Sequence, residues 1–134
     1  PGPSHAGEDN SVGQLGQGTP ATPTVPVTVS GITQAVAIAL GGNHSCSLTS
    51  FGGGVKCWGN NDHGQVGQST NVILSSAVPV GITNLTGVVA ISAGFDFGGA
   101  LTSVGVVRCW GRGDQGQLGD GFGTDSFGPV VLGL

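Results

Sequence analysis

The apolar residues of this chain occur in short runs that are separated by glycine clusters. Residues 35–39 are typical, because Val36 and Ile38 alternate with alanine and share one face of an extended strand. The glycines at 41 and 42 then break the run. Helix formers are scarce, and Val, Ile and Thr favour strands. The pattern predicts many short strands joined by turns.

The same strand plan occurs twice. In the first copy, residues 44–49 and 54–59 are the arms of an antiparallel hairpin around a glycine-rich turn at 51–53. The second copy has equivalent strands at 88–91, 99–102 and 106–111. A further strand opens at Val25–Val29, Val78–Val80 and Pro129–Val131, where the prolines indicate a sheet edge or the entry of a strand.

A longer motif recurs in register with these strands. Cys57–Gly67 reappears as Cys109–Gly119, and the end of the motif appears once more as Gly13–Gly16. The period is roughly 51 to 52 residues, within the range of propeller blades. The repeat divides the chain into a flexible end or broken edge of a preceding repeat at 1–10, the end of one repeat at 11–33, a complete repeat at 34–87 and a near-complete repeat at 88–134.

The motif resembles the repeat of the regulator of chromosome condensation family. The resemblance is carried by His44-x-Cys46-x-Leu48, Val55–Asn60, Gly64–Gly67 and Val78–Val80, and it extends over nearly the whole chain from about Ser11. It implies an all-β protein made of antiparallel four-stranded propeller blades. Only about two and a half repeats are present, whereas a seven-bladed ring of this period needs roughly 360 residues. We therefore expect an incomplete propeller: a fragment, several assembled copies, or an open stack of blades.

The recurring residues have structural roles in this interpretation. Each Trp supplies a large apolar body between blades and an indole N–H that needs a partner. The Gln amide can pair free backbone groups, and the glycines allow tight turns. The set is Trp58, Gly59, Gly64, Gln65, Gly67, Trp110, Gly111, Gly116, Gln117 and Gly119. A kelch blade would need a Tyr, which the chain lacks, and a WD blade would need Asp after Trp.

Composition and charge limit the classes of partner that the chain is expected to bind. The formal charge of −4, with three Lys or Arg, leaves no electrostatic footprint for nucleic acid. No apolar run approaches the roughly 18 residues of a membrane span. We expect a protein partner or self-association that completes a propeller, with neither nucleic acid nor membrane involved.

The three cysteines leave two alternatives open. Cys46 and Cys57 lie on the two arms of one hairpin, where they form either a disulfide in an oxidising compartment or two small buried thiols in a reducing one. Cys109 aligns with Cys57, but its partner position is Gly99. The His and Cys spacing does not match a zinc site, so no metal or other cofactor is expected.

No sequence motif brings together a nucleophile, a base and a carboxylate, so we do not expect the chain to be an enzyme. We predict a protein-binding scaffold, secreted or on a cell surface, with specificity in the loops at 17–24, 60–63, 68–77 and 112–128, where the repeats differ most. The candidate contact residues are Asn61, Asp62, His63, Asn71, Arg112, Asp114, Phe122 and Asp125. The resemblance leaves two alternatives: part of a nucleotide exchange factor for a small GTPase, or a secreted propeller that inhibits an enzyme such as a β-lactamase.

Overall fold

A computed structural model of the chain describes residues 10–18, 29–50 and 54–131. The strands in these ranges form two sheets of four, and within each sheet every strand pairs with the next along the chain. Blade 1 consists of β1 (Ala35–Leu40), β2 (His44–Thr49), β3 (Val55–Asn60) and β4 (Ser75–Gly81). Blade 2 consists of β5 (Val88–Ala93), β6 (Phe97–Thr102), β7 (Val107–Gly111) and β8 (Ser126–Val131).

The two blades share their register as well as their order. All neighbouring strands are antiparallel, and Cys46 faces Cys57 in blade 1 as Gly99 faces Cys109 in blade 2. The pairing shifts at the start of the first strand and in the middle of the third in both blades. Such irregularities increase the twist of a sheet, which suits the curved surface of a blade. The predicted all-β, four-stranded antiparallel fold is confirmed.

Three strands begin earlier than the sequence predicted. β4 begins at Ser75 and β8 at Ser126, each three residues before the predicted start and inside the predicted loops at 68–77 and 112–128. The second strand of blade 2 begins at Phe97, two residues before the predicted start at Gly99, because the flanking glycines concealed the strand. Pro79 and Pro129 lie in the edge strands β4 and β8, as predicted. The glycine turn at 51–53 lies outside the described residues.

Three further predictions fall wholly or partly on the same undescribed part of the chain. Nearly all of the 1–10 end, most of the loop at 17–24 and most of the strand at Val25–Val29 lie outside the described residues.

The core lies between the two blades. Blade 1 contributes Cys46 and Leu48, and blade 2 contributes Ala100 and Trp110, each less than 5% exposed. One sheet cannot bury both of its faces by itself, so the apolar surface that each blade removes from water depends on its neighbour. Val36 and Ile38 share a face of β1 as predicted, but that face points away from blade 2 and stays 61% and 65% exposed.

The turns and loops at one end of both blades make up what we call the loop face. It comprises residues 41–43, 61–74, 94–96 and 112–125. The opposite end carries the connections at 82–87 and 103–106. Among the described residues, no helix has the length and hydropathy of a membrane span.

Candidate partner-binding face

The repeated motif joins each repeat to the next. Trp58 Nε1 donates to the carbonyl of Gln14 at 2.7 Å, and Trp110 Nε1 donates to the carbonyl of Gln65 at 2.9 Å. Both acceptors belong to the Gly-Gln-Leu/Val-Gly turn of the preceding repeat. The indole N–H therefore has the partner that a buried Trp needs. We call this hydrogen bond, from the Trp of one repeat to the Gln carbonyl in the turn of the preceding repeat, the Trp clasp.

The Gln side chains fix the turns from which these carbonyls project. Oε1 of Gln65 accepts the backbone N–H of His63 at 2.7 Å, and Oε1 of Gln117 accepts that of Gln115 at the same distance. Gly64 has a φ of 83°, and a Cβ there would lie 2.9 Å from the Cα of Phe127 in the next blade. Glycine is required at this position by both backbone conformation and space.

Asn61 supports the loop instead of facing a partner. It is fully buried, and its Nδ2 donates to the carbonyls of Gln68 and Ile73 at 2.8 and 2.9 Å. Its Oδ1 accepts the backbone N–H of Val66. This corrects its assignment as a contact residue, because a side chain whose hydrogen-bonding atoms are used internally offers none to a partner.

An ion pair connects the loops of the two blades. His63 Nδ1 of blade 1 lies 2.7 Å from Asp125 Oδ2 of blade 2, and His63 Nε2 lies 3.9 Å from Asp62 Oδ1. The hydrogen bond with Asp125 raises the pKa of His63 above 6.5, and the nearby carboxylates raise it further. The loops therefore hold each other in place most strongly when His63 is protonated.

Arg112 continues the charged cluster within blade 2. Its guanidinium donates to both carboxylate oxygens of Asp114, at 2.7 and 3.1 Å, and to Asp96 at 3.3 Å. The hydrogen bonds from Arg112 lower the pKa of Asp114. Asp125 joins the two parts, because its second oxygen accepts the backbone N–H of Gly113 at 3.0 Å. Four carboxylates thus surround one guanidinium and one imidazole, and the cluster is acidic overall.

Exposed apolar side chains flank this cluster on the loop face. Phe122 is 78% exposed, Phe95 69% and Val72 73%. Asn71 is exposed in the same loop as Val72, and its backbone N–H donates to Ser69 Oγ. An acidic surface that also presents aromatic rings is suited to protein recognition, since aromatic residues provide much of the energy of protein interfaces.

The structure brings together five of the predicted contact residues, namely Asp62, His63, Arg112, Asp114 and Asp125. Sequence reasoning missed Asp96 and Phe95. Their signal was present, because they occupy the turn equivalent to Gly42-Asn43, where the two repeats differ.

The disulfide is present and the histidine at 44 is buried. Cys46 and Cys57 are bonded, and Cys109 is a buried free thiol.

His44 is 1% exposed, and neither of its ring nitrogens has a hydrogen-bond partner among the described residues. Burial lowers its pKa below 6.5, although Asp96 acts in the opposite direction. In the described ranges, no group of three or more His, Cys, Asp or Glu could hold a metal ion.

The two equal blades, the Trp clasp and the shared register define a repeat protein of the β-propeller class. One sequence model described as "Regulator of chromosome condensation (RCC1) repeat" matches residues 7–48 and 52–101, and a second with the same description matches 35–65 and 88–117. The chain belongs to the RCC1 repeat family.

Several known proteins share this repeat. The chain is 32% identical over 128 residues to the "Ultraviolet-B receptor UVR8" of Arabidopsis thaliana, covering 94% of this chain and 28% of the receptor. It is 37% identical over 97 residues to the "Secretion-regulating guanine nucleotide exchange factor" of Bos taurus, covering 70% and 21%. It is 38% identical over 124 residues to the "Probable E3 ubiquitin-protein ligase HERC3" of Homo sapiens, covering 90% and 12%. The chain spans less than a third of the length of each of these relatives.

Solved structures agree on the fold. Prp20p from Saccharomyces cerevisiae superimposes with a TM-score of 0.78 at 23% identity, over 93% of this chain and 33% of that protein. Human WBSCR16 gives the same TM-score of 0.78 at 29% identity, over 94% and 34%. The likeness to Prp20p, at this identity, shows the fold alone.

Proposed function

We propose that the chain is a non-enzymatic protein-binding scaffold and that its loop face contacts the partner. The observation that carries this proposal is the cluster around His63, Asp125 and Arg112, which joins loops from two blades into one acidic surface. Phe95 and Phe122 stand exposed on the same end of the blades. A partner with a basic surface and an apolar pocket complements this combination.

The relatives support a protein partner without identifying it. The bovine relative is named as a guanine nucleotide exchange factor, and Prp20p is described as having binding properties to Gsp1p and histones. The alternatives of nucleotide exchange and of enzyme inhibition would use the same loop face. Faster nucleotide release from a small GTPase would favour the first, and reversible loss of enzyme activity would favour the second.

The disulfide between Cys46 and Cys57 supports an oxidising compartment, such as the outside of the cell. Secretion or display on a cell surface is accordingly part of the proposal. Self-association that completes a propeller is also part of the proposal.

Affinity capture with matched variants tests the loop face. Asp114→Lys reverses a charge within the cluster, and Phe95→Ser removes an exposed ring. Thr86→Lys is the control, because Thr86 is exposed at the opposite end of the blades. Proteins captured by wild type and by Thr86→Lys, but lost with the other two variants, are the expected partners. Partners retained equally by all three variants would place binding elsewhere.

A further inference from the structure

The end of the blades opposite the loop face carries an open depression of about 290 Å³. It lies between the connection at 82–87, which joins the two blades, and the turn at 103–106. The backbone N–H of Ser103 donates to the carbonyl of Gly87 at 2.9 Å, so the two segments are held side by side. Arg108 of β7 also lines the depression. A basic side chain therefore borders a pocket between two loops.

The guanidinium of Arg108 makes no ion pair and no side-chain hydrogen bond within the described residues. The other arginine differs, because Arg112 donates to both carboxylate oxygens of Asp114. Lys56 has the same place in blade 1 as Arg108 has in blade 2, and its Nζ donates to the carbonyl of Gly31 at 3.4 Å. Of these three basic side chains, Arg108 is the one whose donors are all available.

A following blade leaves this position open to solvent. Lys56 and Arg108 are each the second residue of the third strand in their blade, and both are partly exposed. Blade 2 packs against blade 1, yet the hydrogen bond made by Lys56 stays at the surface. The accessibility of the equivalent Arg108 therefore does not depend on whether another blade follows.

The other polar side chains of the depression can also donate. They are the amide of Asn84 and the hydroxyls of Thr86 and Ser103, and none of them has a side-chain partner within the described residues. No carboxylate lines the depression. The described carboxylates all lie on the loop face, at Asp62, Asp96, Asp114, Asp120 and Asp125. The depression is therefore the positively charged counterpart of the acidic loop face, and it attracts an anionic group.

We propose that this depression binds the carboxylate of an Asp or Glu side chain on a protein partner, with Arg108 as its anchor. The guanidinium presents paired N–H groups that match the two oxygens of a carboxylate. One guanidinium balances one carboxylate, whereas a phosphate dianion would keep a net negative charge. Val104 is 83% exposed at the rim, so an apolar residue beside the acidic one has a surface to contact. This second site is separate from the loop face.

NMR of the full chain tests the site with an internal control, because Arg108 and Arg112 are the two arginines of the sequence. The probe is a Glu-Leu dipeptide capped at both ends, and its neutral match is the capped Gln-Leu dipeptide. In about 0.1 M salt, the Nε–H signal of Arg108 should shift with a Kd of roughly millimolar size. The signal of Arg112 should stay unchanged, because Asp114 occupies its guanidinium. The Gln-Leu probe should bind at least about tenfold more weakly.

Matched variants separate the anchor from the net charge, with binding followed at the backbone amides of 103–106. Arg108→Gln should weaken binding of the Glu-Leu probe at least about tenfold. Lys56→Gln removes the same charge at the equivalent position of blade 1 and should change binding less than about twofold. Arg108→Lys keeps the charge but loses the paired N–H groups, so binding should weaken about threefold or more. Ser103→Ala removes one exposed hydroxyl and should weaken binding about twofold.

Acetate and inorganic phosphate complete the test, and both should bind more weakly than the Glu-Leu probe. A shift confined to Arg108, with losses in the Arg108 and Ser103 variants, supports the site. The proposal is overturned by equal binding of the Glu-Leu and Gln-Leu probes, by an equal loss in Lys56→Gln, by tighter binding of acetate or phosphate, or by no shift of Arg108 up to about 50 mM probe. Asp114→Lys and Phe95→Ser alter neither Arg108 nor its pocket, so this site and the loop face can fail independently.

Discussion

Replacing Trp110 with Phe isolates the hydrogen bond between the blades. Trp110 is 0% exposed, and its Nε1 donates to the carbonyl of Gln65, another residue with no exposed surface, at 2.9 Å. Phe keeps a flat apolar ring but lacks the donor. Loss of the partner of a buried acceptor costs about 1–3 kcal/mol, and the smaller ring removes about 1 kcal/mol of buried apolar surface. We expect the free energy of unfolding to fall by roughly 2–4 kcal/mol.

Urea denaturation of the oxidised protein measures this loss, and the melting temperature should fall by roughly 10 °C. Phe122→Leu is the control, because its side chain is 78% exposed and should change stability by less than about 0.5 kcal/mol. A Trp110→Phe protein within about 0.5 kcal/mol of wild type would refute the reasoning. The ring of Trp110 would then stabilise the protein by packing alone, without a contribution from its hydrogen bond.

Three other predictions concern the cysteines and histidines. Reduction of the Cys46–Cys57 bond, which has a sequence separation of 11, should lower stability by about 3 kcal/mol and add two alkylatable thiols by mass spectrometry; equal melting with and without reductant would contradict this. Burial lowers the pKa of His44, so neutral His44 contributes to the free energy of unfolding above pH 6.5, and this contribution is lost as pH falls through the lowered pKa. His44→Phe should therefore show a smaller loss of stability than wild type when denaturation is measured down to about pH 5. NMR titration should place the pKa of His63 above 6.5 and should return it toward this value in Asp125→Asn, and an unchanged titration would show that another group causes the shift.

The sequence was sufficient for the blade and its internal geometry. Alternating strands, glycine clusters and the recurring Trp and Gln residues are local or periodic signals, and each describes the same hairpin in both repeats. The sequence placed Cys46 and Cys57 on the two arms of this hairpin and left a disulfide and two buried thiols as alternatives. The register that sets them opposite each other comes from the structure, and a one-residue shift would turn one side chain to the other face. Even the hydrogen bond required by the indole was expected, although its acceptor was not.

The loop face was only partly predictable because its contacts connect distant residues. His63 and Asp125 are 62 positions apart, and their meeting depends on the rotation of one blade against the next. Asn61 has the composition of a surface loop residue, yet its amide is used by the loop interior. The local pattern cannot separate a polar side chain that supports a loop from one that faces solvent, since both are short, polar and next to glycine.

How much of a blade face is buried depends on the neighbour that packs against it. Two repeats with similar sequences can therefore differ in burial. In blade 1, β2 is almost wholly buried because blade 2 covers one side and the Gly13–Gly16 turn lies against the other. In blade 2, β6 has the same place in its sheet but remains half covered. Because stability in repeat proteins is approximately a sum of repeat terms and interface terms, each added neighbour stabilises this fold through the same Trp clasp and the same pair of faces.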